Sequence, residues 1–577
     1  MWAAWGEVRA CLREALSVRF TSAGSGATAV ATLFLLDALH TWAMSVAAIA
    51  TAAASNSTSS SKQRAAKTIQ RELQELVAAL LGAALIVATD SVVAQGGGGH
   101  APIERVLADA KVLSPSLTYE ALTALALRLL ARVLPELLPR VYGAAMERIS
   151  PILAQVVRNV LPLAHPEARS ALTANTLSPP PATTTPLSPR AAAAAANAED
   201  SAEVSVAAVA LVDALVQLEA ELAQQAGYAV AAPPWHRALL ELFYAPTFFR
   251  VPLPLLRAWA SLLAHVWERD ATVWTECLKQ LTKALAAPPP ALFGGKNTER
   301  EELQRPVHLK RLAFLLLSAG VDAFQDEMTV IQEKLVEALR VKLLPEATLL
   351  LVSNVFLTLR VLLLRFSAAK LEAFWPVILT ELIRVLSPPQ PMPPLVVAAT
   401  KFLDLALILA SDKISQWEWI FFRDKQLTNA AVKLSAKATA AATIAATRTI
   451  NPSNPLAPLQ LPSPASASAD VFVPLLERLV PDAPGAAAVS LASYGGGPRR
   501  PLVATGGAQE DLTSERYGRF LGALRDLFVL AYSASVSAAD VDLASVEHSI
   551  AIDFTEPLNP TTYTRVGSVI VYTPPDK

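Results

Sequence analysis

Cysteine is nearly absent from this chain. There are two in 577 residues, Cys11 and Cys277. They form no CxxC pair, so the sequence contains no disulfide framework and suits a reducing compartment. Histidine is also sparse. The seven, at positions 40, 100, 165, 236, 265, 308 and 548, stand singly, and no two of them have metal-ligand spacing with a carboxylate on the same face. An excess of one charge is missing too. With 49 basic and 50 acidic side chains, no global field points to nucleic acid or to an acidic substrate. No GxxxxGK[ST], GxSxG or HExxH pattern occurs, and the Gly-rich runs at 24–26 and 96–99 follow no strand, so neither reads as a phosphate loop. The sequence therefore assigns no catalytic residue, no cofactor site and no metal site. A hydrolase whose Ser, His and acid meet only in space is the reading these absences leave open.

Long apolar runs free of charge are missing as well. The segment 27–54 has the length of a membrane span but carries Asp37 and His40 at its middle. An ionised group there costs on the order of 3 kcal/mol. The run 76–94 carries Asp90, and 347–366 carries Asn354, Arg360 and Arg365. All three read as buried helices. The rival reading is an integral membrane protein with spans near 27–54 and 76–94. Residues 1–20 do not read as a signal peptide, because Glu7, Arg9, Arg13, Glu14 and Arg19 interrupt the apolar stretch. The sequon at Asn56 reads as unused.

What the chain does have is helix-forming sequence in blocks. Hydrophobic residues make up 53% and charged residues 17%, and much of the apolar part is Ala and Leu, strong helix formers. Leu309, Leu312, Ala313, Leu316 and Leu317 follow the helical period. So do Ile331, Leu335, Ala338 and Leu339, with Glu333 and Glu337 expected on the wet face. Phe402, Leu403, Ala406, Leu407 and Ala410 repeat the pattern, as do Ile69, Leu73, Leu76, Val77, Leu80 and Leu81. The segment 356–366, FLTLRVLLLRF, is apolar nearly all round and must be covered on most sides.

These blocks alternate with Pro- and Ala-rich spacers. The reading is an all-α, irregular HEAT/armadillo-like helical solenoid with disordered insertions and no strict repeat period. The expected divisions are a helical block over 1–175, a disordered linker over 176–200 and a second helical block over 201–448. A disordered linker over 449–515 and a tail over 516–577 follow. In the tail, SIAIDF at 549–554 and VGSVIVY at 566–572 alternate as strands do, which predicts a small hairpin beside a helix.

Residues 310–340 read as two amphipathic helices joined by a short turn. Together with RVLLLRFSAAKLEAFWPVILTELIRVL at 360–386 and ATKFLDLALILA at 399–410, they resemble the C-terminal region of the Dopey family. The resemblance is best over 235–424 and weaker over 67–165. It rests on packing motifs, so it transfers no functional residue. Dopey proteins are far longer than this chain, which implies that only part of their architecture is represented. The resemblance implies a non-enzymatic scaffold of transport between endosomes and the Golgi, lying peripherally on the cytosolic face of those membranes. It also implies partners: a large Arf-exchange-factor-related Golgi scaffold, an aminophospholipid flippase, kinesin light chain and an anionic phosphoinositide membrane. No nucleic acid and no cofactor are implied.

Two further signals are local. Arg64, Lys67 and Arg71 recur at helical spacing on one face, as do Lys433 and Lys437. Each set can meet anionic headgroups, worth about 1 kcal/mol per cation near the surface, or can be a solvated helix face. The aromatic clusters at 235–249 and at 417–422, with Trp417 and Trp419, read either as partner anchors or as helix packing.

Overall fold

In the computed structural model the described residues are 64, 67–68, 70–75, 77–78, 81, 119–142, 150–160, 189–224, 234–286, 296–340 and 345–386, together with 393–410, 413–414, 416–421, 541–555, 563–566 and 569–572. The expectations for 1–60, 96–100, 449–515, Lys433 and Lys437 lie outside them, as do the span reading of 27–54 and most of 76–94. The described chain is helical except for one hairpin near its end, an all-α helical array as the period predicts. Contacts divide it into two units. One is built mainly from residues up to Lys283, the other mainly from Ala284 onward. The division falls inside the 201–448 block.

In the first unit, α1 (Tyr119–Tyr142) packs along α3 (Pro189–Gln224), and α3 packs in turn on α5 (Leu253–Arg269). α2 (Ser150–Gln155), extended by a π turn over Val156–Val160, meets α4 (Pro234–Phe243). α6 spans Ala271–Ala284. Leu127, Leu130, Leu134, Leu137, Leu138 and Val141 form the buried stripe of α1. Pro135 and Pro139 lie inside this helix. Each removes one N–H from the ladder, so packing on α3 must hold that stretch. Val204, Ala207, Leu211, Leu215 and Leu218 supply the facing stripe. The helical residues between 64 and 81 join this unit through Gln74, whose amide donates to the Val141 carbonyl at 3.1 Å.

α3 corrects one expectation. The linker read over 176–200 is helical from Pro189, and residues 189–200 are its opening turns. Proline suits the first helical position, and the Ala run that follows is the best helix former available. A compositional reading of a low-complexity stretch missed both.

The second unit contains most of α7 (Lys296–Ser318), then α8 (Met328–Arg340), α9 (Pro345–Arg365), α10 (Ala368–Leu371), α11 (Trp375–Leu386), α12 (Pro393–Leu409), α13 (Glu418–Phe421) and most of α14 (Leu543–Thr555). The predicted helix pair of 310–340 is the end of α7 followed by α8. α9 is the central helix: α8 and α12 pack on it, and α11 packs on α12. Phe356, Leu359, Val361 and Leu362 of α9 are buried on different sides, as its all-round apolarity requires. Among the described residues no helix is long and apolar enough to cross a membrane. α9, which holds the run 347–366, buries Asn354 and bonds its amide to the Pro306 carbonyl at 2.9 Å. Asp322 adopts a positive φ of 55°. Its N–H reaches the Arg365 carbonyl, and its carboxylate accepts the Ser367 N–H at 3.0 Å. This ties the α7–α8 turn to the end of α9.

The tail corrects a second expectation. Residues 549–554 are helix within α14, not strand. The same side chains satisfy both periods: Val546, Ile550 and Phe554, four apart, are all buried. Asp542 decides the start, because its carboxylate accepts the Ser545 N–H at 3.0 Å and the Ser545 hydroxyl at 2.7 Å. The hairpin pairs β1 (Tyr563–Val566) with β2 (Val569–Tyr572) antiparallel, with Val566 opposite Val569.

Candidate functional site

Arg360 lies in the middle of the apolar run 356–366, and a charge on a helix covered all round demands a partner. In the second unit its guanidinium donates to Asp553 of α14 and, at 3.0 Å, to the Ser549 hydroxyl. Lys401 of α12 reaches the other oxygen of Asp553 at 2.5 Å. One carboxylate thus sits between two cations from two helices, all three nearly shut off from water. Arg365 adds a half-exposed pair with Glu547 at 2.9 Å. Burial alone pushes the Asp553 carboxyl up. The attraction of Arg360 and Lys401, with their hydrogen bonds, outweighs it and holds the group below its ordinary value. The arrangement is a seat of two cations that the anion-bearing helix α14 fills.

The first unit contains a second buried polar cluster. Glu219 falls on the apolar stripe of α3 and accepts from Arg269 at 2.6 Å. The Nε2 of His236 lies 3.1 Å from the other Glu219 oxygen. On the far side of the ring, Nδ1 lies 4.0 Å from Asp270 Oδ2. Asp270 also caps α6, its Oδ1 accepting the Thr272 hydroxyl at 2.6 Å. Four helices converge here, and the site lies within the packing of the unit.

Around this cluster the 235–249 aromatics are core. Trp235, Phe243 and Phe248 are fully buried. Phe248 meets Phe243 edge-on at 5.1 Å and Trp259 at 5.8 Å. The sequence left anchors and packing open for this cluster; its burial supports packing.

An open groove of about 480 Å³ runs between α8 and the start of α11, floored by Val336, Phe374 and Val377 and rimmed by Glu333 and Glu337. Among the described residues no group of three or more His, Cys, Asp or Glu side chains could hold a metal ion.

The contact residues named from sequence divide between the units. Arg64, Lys67 and Arg71 are exposed in the first, with Arg71 near Glu75 at 3.5 Å. Trp417 in the second is 38% exposed. Trp419 is helical, and its side chain lies outside the described set. Sequence reasoning missed Glu219, Arg360 and Asp553 as partners. The available signal was a charge on an apolar stripe.

His308 adds a pH prediction. Burial, then the Arg311 charge, pushes its imidazole down from 6.5 to about 4. Below pH 6.5 the unfolded chain takes a proton that the folded chain refuses until about pH 4. Stability is therefore complete above 6.5 and falls as pH drops through that window. The ring is part-exposed, so the loss is about 1–2 kcal/mol. Urea denaturation at pH 7 and pH 4.5 should show this fall in the native chain and a smaller one in His308→Leu.

The described residues form an all-α helical array. Residues 211–479 match the family described as DOP1 C-terminal. That stretch is a Dopey-family C-terminal region, and it contains the 235–424 stretch on which the sequence resemblance is best. Protein pad-1 of Caenorhabditis elegans is 32% identical over 167 residues, covering 29% of this chain and 7% of that protein. Protein DOP1B of Mus musculus is 31% identical over 163 residues, 28% of this chain and 6% of that protein. Protein dop1 of Emericella nidulans is 30% identical over 208 residues, 33% of this chain and 11% of that protein. The chain thus matches about a tenth or less of these relatives' length. No solved structure matches it.

Proposed function

We propose that this chain is a non-enzymatic scaffold in protein transport between endosomes and the Golgi, working on the cytosolic face of those membranes. The observation that carries the reading is the Dopey-type C-terminal region over 211–479. Its form supports it: helices pack within each unit, and an exposed cationic face in the first and an open groove in the second are available to partners. Its partners are a large Arf-exchange-factor-related scaffold and an aminophospholipid flippase, with kinesin light chain as a cargo link.

Affinity purification of the tagged full chain from cell lysate, followed by mass spectrometry, tests this. Recovery of the exchange-factor-related scaffold supports it. Failure to recover that scaffold, after cross-linking as well as in native lysate, sinks it. Alkaline carbonate should release the chain from membranes, whereas a spanning protein would stay.

Membrane contact on this reading runs through the exposed face of Arg64, Lys67 and Arg71, with Lys433 and Lys437 as a second set. Reversing the first three to Glu should weaken co-sedimentation with phosphatidylserine–phosphoinositide vesicles by about tenfold or more, at roughly 1 kcal/mol per charge. Unchanged sedimentation would remove this face from the membrane contact.

A further inference from the structure

The seat around Arg360 and Lys401 differs from the contact between α9 and α12. α9 and α12 meet through many apolar side chains. α14 instead meets the seat through a set of charges and one hydroxyl: Asp553 to Arg360 and Lys401, Ser549 to Arg360, and Glu547 to Arg365. Val546, Ile550 and Ala551 are buried apolar side chains interspersed with this set. Polar contacts of this kind give specificity more than net stability. Removing α14 takes away the carboxylate that Arg360 and Lys401 share, so the chemistry of the seat favours an anion-bearing ligand.

The occupant is also remote in the chain. Asp553 is 193 positions from Arg360 and 152 from Lys401. A helix that belongs to the same chain as its site gains from local concentration, and a free helix of like pattern competes against that advantage.

We propose that the face of α9 and α12 around Arg360 and Lys401 is an exchangeable docking site for an acidic amphipathic helix of a partner protein, and that α14 fills it in cis. The recognised pattern is that of residues 546–553: an apolar residue, an acid, any residue, a hydroxyl, an apolar residue, two of any kind, then an acid. The final acid bridges the two cations, the hydroxyl adds to Arg360, and the first acid reaches Arg365. A partner that presents this helix displaces α14 and frees the tail.

The test uses a fluorescein-labelled peptide of residues 541–555, titrated against the full chain and against its Asp553→Ala variant, read by anisotropy. The expected result is binding to Asp553→Ala at least tenfold tighter than to the native chain, because the variant's own helix no longer competes. Adding Arg360→Gln should cost at least tenfold of that binding. A second peptide, sharing only the pattern of 546–553, should bind within tenfold of the first. If the Asp553→Ala chain binds the native peptide no better than a scrambled one, α14 is a fixed part of the core and the proposal falls. Amide exchange of the native chain decides the matter should the variant not fold. Exchange of α14 amides at least tenfold faster than those of α9 supports an exchangeable helix, and exchange only together with α9 and α12 overturns it.

Discussion

Asp553→Ala destabilises the second unit by about 3–5 kcal/mol, because it removes the carboxylate that Arg360 and Lys401 share and with it the charged contacts that hold α14. Removing one member of a buried ion set costs far more than the set contributes over an apolar equivalent. The replacement Arg360→Met with Lys401→Met and Asp553→Leu should therefore recover most of the loss, to within about 1–2 kcal/mol of the native chain. Chemical denaturation measures both. A small loss in Asp553→Ala, under about 1 kcal/mol, would show that water reaches the two cations and that the seat is not closed. The pH dependence separates this site from His308. The Asp553 carboxyl is held below its ordinary 3.8. Its contribution is thus complete above the unfolded value and is lost only as pH falls through the lower folded one. Of these two sites, it is His308 that loses stability between pH 6.5 and pH 4.

Phe248→Ala costs about 3–5 kcal/mol in the first unit. The ring is fully buried and meets Phe243, Phe249 and Trp259 at 5.1, 5.1 and 5.8 Å, each edge-on. Edge-to-face pairs add to the loss of area and leave a cavity that neighbouring rings cannot fill. Trp417→Ala should change stability by less than about 0.5 kcal/mol, since its ring is part-exposed. Thermal and urea unfolding of the two variants distinguish a packing aromatic from one available to a partner. A partner-binding loss in Trp417→Ala at native stability would mark it as a contact.

The helices themselves were legible from residue order. The stripe from Leu309 to Leu317 is buried as its period predicts, and so are Phe402, Leu403, Ala406 and Leu407. Glu333 is exposed, while Glu337 is part-covered through its 2.7 Å pair with Lys334. Where the reading failed, two local signals conflicted. Residues 189–200 combine spacer composition with the strongest helix former, and helix won. Residues 549–554 alternate like a strand but also repeat every four, and the Asp542 cap with burial of Ile550 chose the helix.

Residue order by itself determined that this chain is a succession of helices with no visible catalytic motif, because helical period and turn composition are local properties of a few neighbouring residues. Only the tertiary structure decided which charges are buried and with whom they pair. Glu219 with Arg269 and His236, and Asp553 with Arg360 and Lys401, lie in remote segments. A buried charge acquires its partner from the packing of another helix, which no local pattern encodes.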